Sequence, residues 1–493
     1  MSAIKKFLGQ TAIYGVTTVI SRLFNFILTP LFTGVFQPGI YAIFTKMYAS
    51  ASMINAILAF GMESTFFRYL NKHEDKKQEV YNNTFFCVAL IATLFLISGL
   101  VFSSHIAGYF ASGPDEMTDY IKYVHYFVWL LFIDAICVIP FAKVRADERP
   151  MRYSLIKFLN IGSFIGFNLF FLFVVPIIIK IGGSIGEWFG SWYRPEWIGY
   201  VFISNLIASV LTLILLIPEI AKLQFKFDKE LFGKMVSYSW PVLVANLSFV
   251  VNENLDKMII NQLGVSEYNL GVYGAVCKIA VFLSLFITAF RLGAEPFFFS
   301  HAKSTNARQT YATILNYFVI ALAVIFVGLV ANIDILKHFI DSEYWVGLNA
   351  VPFLLLGYVF LGIYVNLSIW YKLSDQTKFG LYISVIGAIT TIVLNILLVP
   401  KYGYMGSAWV SMLAYFVMML ISYVLGQKHY PIPYNLTRML SYLLVSTVLV
   451  VLSFWVFNRN IYIGNALLLT FLIGVIYFEK DELKLILGKT KSK

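Results

Sequence analysis

The segment TFFCVALIATLFLISGLVFSS occupies residues 84–104 and contains no charged side chain. As an α-helix, a segment of this length rises about 30 Å, which is the thickness of the hydrocarbon core of a bilayer. Similar apolar segments recur along the chain with only short polar connections. The chain is 59% hydrophobic and 13% charged, whereas soluble domains carry about 25% charged residues. The sequence therefore predicts an all-α polytopic membrane protein.

Hydropathy predicts about fourteen transmembrane helices, and the basic residues indicate their direction. Of the 37 Lys and Arg residues, 26 lie at the termini and in every second connection, 7 lie in the intervening connections, and 4 lie within spans. Lys and Arg accumulate in cytoplasmic loops. We therefore expect both termini in the cytoplasm. The net charge of +11 is explained by this topology and predicts no nucleic-acid partner.

An ungapped internal repeat relates the second predicted span to the eighth. The identical residues, each recurring 232 positions later, are Gly39, Tyr41, Lys46, Ser52, Gly61, Glu63, Phe66 and Phe67. A step of six spans keeps the same direction across the membrane, which is the arrangement of parallel repeats. We predict an N-terminal six-helix lobe in residues 1–230, a C-terminal six-helix lobe in residues 231–430, and two extra C-terminal helices with a tail in residues 431–493.

Four basic side chains lie within predicted spans, where a charge costs about 2.5–3.5 kcal/mol at the helix centre and marks a pathway or an ion pair. We interpret Arg22, Lys46 and Lys278 as candidate substrate-binding residues. Arg291 is a weaker candidate, because a long side chain near the interface can extend its charge into water. The structural alternative is that buried acids such as Glu63 neutralise these cations.

Three acidic residues are candidates for binding a coupling ion. Asp134 lies in the fourth predicted span, and Glu253 and Asp256 lie in an unusually polar part of the seventh. Carboxylates bind hard cations, although Asp256 also stands next to Lys257 and the two could form a local pair.

Signals of catalysis are absent from the sequence. The three cysteines (Cys87, Cys137 and Cys277) lie in apolar segments without metal-binding or disulfide spacing. The connections between spans are too short to form a catalytic domain. We therefore expect no enzyme activity, no metal and no cofactor.

The chain resembles the bacterial polysaccharide flippases of the multidrug/oligosaccharidyl-lipid/polysaccharide exporter superfamily over about residues 8–430. The similarity is carried by Ser21-Arg22, Gly39-Ile40-Tyr41 to Lys46, Asp256-Lys257, Gly271-Val272-Tyr273-Gly274 to Lys278, Asn395 to Pro400, Gly403, and Gly406-Ser407-Ala408. One departure is Asn254, which stands in the second repeat where the first has Arg22, so the two lobes differ in their cationic residues.

This resemblance implies a cation-rich central cavity between two six-helix lobes. It implies transport of undecaprenyl-diphosphate-linked oligosaccharide across the inner membrane by alternating access, for synthesis of a surface polysaccharide. The two extra helices would border a lipid groove, as in the similar lipid II flippases. Expected partners are the lipid-linked oligosaccharide, membrane lipids, a polysaccharide polymerase and glycosyltransferases.

Two other functions compete with this interpretation. A drug/cation antiporter of the same superfamily typically needs an acid in its first span, where this chain has Arg22 and no Asp or Glu. A non-transporting scaffold for envelope assembly would not be expected to keep charges within its spans.

The charge distribution predicts the topology of the first six connections. Reporters fused after Lys77, Arg152 and Lys229 should be cytoplasmic, and those fused after Pro38, Asp115 and Trp192 should be on the opposite side. Alkaline phosphatase and green fluorescent protein fusions measure this directly. A single reversed reporter would contradict the fourteen-span topology.

Overall fold

The computed structural model describes residues 26–486 apart from Ser112, Phe225, Lys303 and Asp375, together with Thr17, Ile20, Leu23 and Phe24; for Pro114, Pro296, Ser300 and residues 481–486 it describes the backbone. Within these residues the regular elements are all helical. The helices of the first half are α1 (Phe26–Val35), α2 (Pro38–Ala59), α3 (Met62–Lys72), α4 (Lys77–Val101), α5 (Ser103–Phe110), α6 (Met117–Ala146), α7 (Pro150–Leu169), α8 (Val175–Ile181), α9 (Gly183–Gly190), α10 (Gly199–Ile220) and α11 (Lys229–Ile259).

The remaining helices continue the same pattern. They are α12 (Glu267–His301), α13 (Ala307–Ala331), α14 (Ile333–Leu336), α15 (Val351–Leu367), α16 (Ile369–Leu373), α17 (Lys378–Tyr402), α18 (Tyr404–His429), α19 (Leu436–Val451) and α20 (Ile461–Ile486). Short π-helical segments, Phe170–Val174 and Leu452–Val456, follow α7 and α19.

Thirteen helical segments in the described part of the chain are long and apolar enough to cross a membrane. The shorter α1 lies within the first predicted span, most of whose other residues are outside the described set. The prediction of an all-α polytopic membrane protein of about fourteen helices is confirmed. Only helices satisfy every peptide group within one segment, which is why a chain with this hydropathy folds in this way.

The chain divides into two compact units, Met1–Asn261 and Gln262–Lys493. In the first unit, α6 is central: it packs against α2, α4 and α10, and α11 packs on α2 and α3. In the second unit, α15 packs on α12, α13 and α18, while α19 and α20 pack on α13. The repeat boundaries at residues 230 and 430 stay a prediction, since the units are defined by packing and not by the repeat.

A break at Phe60 and Gly61 separates α2 from α3. Both residues have left-handed backbone angles, with φ of 47° and 64°. A Cβ atom on Gly61 would lie 2.8 Å from the carbonyl oxygen of Ser239 in α11. The hydroxyl of Ser239 donates to the Phe60 carbonyl, which the break removes from the helical hydrogen-bond ladder. The bend is therefore held from the neighbouring helix.

The repeated glycine, Gly293, behaves differently. It lies inside the continuous helix α12, and a Cβ atom there would meet nothing within 4 Å. Two glycines aligned by sequence thus have different structural roles. Gly61 is required by backbone conformation and close packing, whereas Gly293 is required by neither.

The two glycines make a matched pair for substitution. Gly61→Ala should destabilise the first unit by about 1–3 kcal/mol, because the left-handed conformation and the close approach both disfavour a Cβ atom. Gly293→Ala should be neutral or slightly stabilising, since Ala is the better helix former. Thermal unfolding of the purified protein in detergent measures both. Equal melting temperatures for the two variants would contradict the assigned role of Gly61.

Candidate functional site

The predicted cations lie in different surroundings. Arg22 is outside the described residues. Lys46 is almost completely buried in α2, at 2% exposed. Its Nζ atom donates to the Phe110 carbonyl at 3.2 Å and to the Tyr120 hydroxyl at 3.3 Å, and lies 5.5 Å from the centroid of the Tyr120 ring. The ammonium therefore contacts oxygen acceptors from α5 and α6.

The second unit contains the other two predicted cations, both on α12. Lys278 is half-buried, and Arg291 is exposed. Arg291 lines a cavity of about 20 Å³ with Glu295, Lys372 and Asn366. The Lys372 ammonium donates to the Glu295 carboxylate at 2.6 Å. Arg291 therefore stands beside an ion pair at the end of its span.

The polar segment of α11 contains a local ion pair. Asp256 is buried, and its carboxylate lies 3.1 Å from the Lys257 ammonium. Lys257 Nζ also donates to the Glu253 carbonyl at 2.7 Å, while the Glu253 side chain is exposed. The local pairing of Asp256 and Lys257, which the sequence left as an alternative, is present in the structure.

A polar cavity of about 420 Å³ lies within the first unit and contains Asp134. We call it the Asp134 cavity. Its walls are formed by α2, α3, α6, α7 and α10. Its polar and titratable lining residues are Asn55, Glu63, Asp134, Cys137, Arg145, Tyr153, Lys157, Asn160, Asn205, Ser209 and Thr212. A volume of this size is in the range of small-ligand sites.

Hydrogen bonds fix the walls of the Asp134 cavity. The Ser209 hydroxyl donates to the Asp134 carboxylate at 2.6 Å, and the Lys157 ammonium attracts the same carboxylate. Asn160 Nδ2 donates to the Ala208 carbonyl at 3.1 Å, and Asn205 Nδ2 donates to the Tyr48 hydroxyl at 2.9 Å. The cavity thus combines a carboxylate, an ammonium and several oriented amide and hydroxyl groups.

An ion pair between Arg145 and Glu63 completes the set of charges in this cavity. Arg145 lies eleven residues after Asp134 on α6, so the cavity extends about 16 Å along that helix. The second unit has a corresponding pair, Lys372 with Glu295. The two acids are repeat partners, but the two bases are not at the repeat offset, so the sequence repeat predicted only half of each pair.

The sequence prediction did not include Lys157, Asn160 or the α10 residues of the cavity. A signal was available: Asn205, Ser209 and Thr212 follow one another at spacings of four and three in an apolar helix, so they share one face. Lys157 and Asn160 show the same spacing of three on α7. The prediction missed the uncharged residues because they cost far less than charges in a span, so a stripe of them stands out less. Lys157 lies near the start of α7, and from the sequence it is counted with the basic residues of the preceding connection.

A second network of charges lies at the ends of α6, α7 and α10. The Glu219 carboxylate is completely buried and accepts from Arg149 at 3.2 Å and from Arg152 at 2.8 Å. Nearby, burial raises the pKa of Asp147, but hydrogen bonds from Lys143 and Arg149 outweigh it and hold that pKa below its ordinary value. These contacts join three helices, and they have the character of a structural ion-pair network.

The sequence matches two known protein families. Residues 7–300, more than half of the chain, match the family described as polysaccharide biosynthesis protein, and residues 241–397 match the family named MatE. The chain belongs to the polysaccharide biosynthesis protein family. The predicted resemblance to polysaccharide flippases of the multidrug/oligosaccharidyl-lipid/polysaccharide exporter superfamily is confirmed.

One membrane protein and two solved structures resemble this chain at low sequence identity. An uncharacterised membrane protein of Methanocaldococcus jannaschii, MJ1068, is 21% identical over 454 residues, covering 87% of this chain and 84% of that protein. The lipid II flippase MurJ, in an inward closed conformation, is similar with a TM-score of 0.67 and 17% identity, over 96% of this chain and 100% of that one. An inward-facing multidrug resistance MATE transporter has a TM-score of 0.61 and 12% identity, over 86% and 95%. These likenesses establish the fold.

The Glu219 network gives a stability prediction. Glu219→Gln should lower the free energy of unfolding by about 1–3 kcal/mol, because two guanidinium groups lose their charged acceptor. Glu230→Gln is the matched control: its side chain is 82% exposed and forms only a surface pair with Lys234, which contributes little. Thermal unfolding in detergent measures the melting temperatures of the Glu219→Gln and Glu230→Gln variants. Equal melting temperatures would show that the buried network does not stabilise the fold.

Proposed function

We propose that this protein is a flippase that moves an undecaprenyl-diphosphate-linked oligosaccharide across the cytoplasmic membrane by alternating access. The observation that carries the proposal is a basic residue at the same repeat position in each half: Lys46, which is buried, and Lys278, which is half-buried. A diphosphate brings about two negative charges into a region where unpaired charge is very unfavourable. Fixed cations along the path offset that cost.

The environment of Lys46 suits a transported anion. Its ammonium is buried in α2 and donates to two oxygen acceptors, the Phe110 carbonyl and the Tyr120 hydroxyl. A phosphate oxygen that replaces one of these acceptors forms a charge-assisted hydrogen bond, which is stronger than a hydrogen bond to a neutral oxygen. We assign Arg22, Lys46, Lys278 and Arg291 as substrate-binding residues, with Arg22 suited to bidentate phosphate contact.

The coupling ion would bind to the acidic residues. Of the three candidates, Asp134 is favoured, because it lies in a polar cavity large enough to admit an ion and water. Asp256 already contacts Lys257, and the Glu253 side chain is exposed. Asp256 and Glu253 are retained as secondary candidates.

The cellular setting of the proposal is the cytoplasmic membrane, with both termini in the cytoplasm. The partners would be the lipid-linked oligosaccharide, membrane lipids, a polymerase and glycosyltransferases for a surface polysaccharide. We propose no enzymatic activity, no cofactor and no metal. The match over residues 7–300 to the polysaccharide biosynthesis family supports this assignment.

A drug/cation antiporter is the second candidate, and the match of residues 241–397 to MatE favours it. The first predicted span, however, has no Asp or Glu. A non-transporting scaffold is the third candidate. Burial of Lys46 in α2 is costly for a protein that only positions others, which weighs against it.

The experiment is flipping of a lipid-diphosphate-linked oligosaccharide in proteoliposomes, followed by digestion of the exposed sugar. Lys46→Ala should lower the flipping rate about tenfold or more, because one charge-assisted hydrogen bond contributes about 1.5–3 kcal/mol and a tenfold change needs about 1.4. Lys46→Arg should retain part of the activity. The control is Lys180→Ala, at an exposed lysine near the end of α8, which should flip normally.

Melting temperatures of all variants separate loss of function from loss of folding. Normal flipping by a stable Lys46→Ala variant would contradict the cationic path. Transport of ethidium by the wild-type protein, with no flipping of the lipid-linked oligosaccharide, would favour the antiporter.

A further inference from the structure

We propose that Lys157 is the resident cation of the Asp134 cavity and excludes sodium from it, so that this cavity responds to protons and not to alkali-metal ions. The inference rests on the proposed transport function, and it deepens that function by assigning its ion selectivity. It makes Lys157 a specificity-determining residue, a role that its position near the start of an apolar helix does not indicate from the sequence.

The wall of the Asp134 cavity is rich in potential oxygen ligands. Oxygen atoms from three helices face one space: the Asp134 carboxylate on α6, the Asn160 amide on α7, and the Asn205 and Ser209 groups on α10. Carboxylate, amide and hydroxyl oxygens are the groups that bind hard cations. By these groups alone, the cavity has the chemistry of a sodium site.

A cation is already built into the same wall. Lys157 lines the cavity, its ammonium attracts the Asp134 carboxylate, and it lies 4.7 Å from the centroid of the Phe141 ring. An ammonium is a compact point charge with three donors. It therefore provides one positive charge in the cavity that Asp134 also lines, as a bound sodium ion would.

Among the lining residues that the structure describes, the formal charges balance. They are Glu63 and Asp134 on one side and Arg145 and Lys157 on the other, and Glu63 pairs with Arg145. In the described part of the chain, the other titratable groups that face this space are Cys137, Tyr153 and, through Asn205, Tyr48. With one ammonium for one carboxylate, a sodium ion meets no net negative charge from these described residues, and Lys157 repels it at low effective dielectric.

A proton is different from sodium in this setting. It adds to a carboxylate oxygen of Asp134. It therefore needs neither the space that the Lys157 ammonium occupies nor a set of oxygen ligands. Protonation removes the counter-charge of the ammonium and leaves the cavity more positive by one charge. Since α6 and α7 carry the two partners, this change weakens an attraction between two helices of the first unit, and it links proton binding to their packing.

The test measures sodium binding by the purified protein in detergent, with ²²Na⁺ as the probe and choline as the replacement cation. The wild type should bind no sodium at this site at about 100 mM. Lys157→Met, which keeps length but removes the charge, should gain sodium binding at least about tenfold tighter than the wild type. Lys157→Gln should behave in the same way, and the double variant with Asp134→Asn should lose the gained binding.

Lys143→Met is the matched control, because Lys143 is a neighbouring basic residue that pairs with Asp147 at 2.7 Å and does not line the cavity. It should gain no sodium binding. The proposal is overturned if the wild type binds sodium and Asp134→Asn abolishes that binding. It is also overturned if Lys157→Met and Lys157→Gln both retain the wild-type melting temperature and bind no sodium.

Flipping under imposed gradients separates this proposal from the transport proposal. Wild-type flipping that responds to a pH gradient and not to a sodium gradient supports both. Flipping driven by a sodium gradient overturns the role of Lys157 but leaves the flippase intact. Absence of flipping under any gradient contradicts the flippase, whereas the sodium-binding results still decide the selectivity of the cavity.

Discussion

The hydrocarbon core of a bilayer provides no hydrogen-bond partner for a peptide group, and the rest of this structure depends on that constraint. Thirteen apolar segments in the described part of the chain are helical, because a helix satisfies its own backbone. Where the ladder is interrupted, at Phe60, a side chain of the neighbouring helix supplies the missing donor. The bend is therefore a tertiary feature that the local sequence permits and α11 completes.

The hydrocarbon core also restricts the surroundings in which charged side chains are found, because it does not solvate charge. Asp256 contacts Lys257, Glu219 accepts from two guanidinium groups, and Glu63 pairs with Arg145. Each arrangement offsets part of the cost of removing a charge from water. Asp134 and Lys157 offset this cost in another way, because they share a polar cavity with amide and hydroxyl groups.

The two halves share the residues of the internal repeat, but these residues have different surroundings in each half. Lys46 and Lys278 keep the same residue at the same offset, but Lys46 is buried and Lys278 is half-buried. Glu63 and Glu295 both pair with a base, yet the bases are Arg145 and Lys372, which are not repeat partners. Such divergence suits a transporter, because its two halves can differ in role.

The sequence by itself determined the class of fold, because apolar length and the placement of Lys and Arg depend on the membrane and not on packing. It also placed Lys46 and Asp134 within spans, and hence indicated them as candidates. Only the tertiary structure decided the rest: that Gly61 bends its helix and Gly293 does not, and that Lys157 and Ser209 join Asp134 around one cavity. The physical reason is that side-chain partners come from helices far apart in sequence, and that hydropathy measures the cost of a residue in lipid, not the neighbours that offset it.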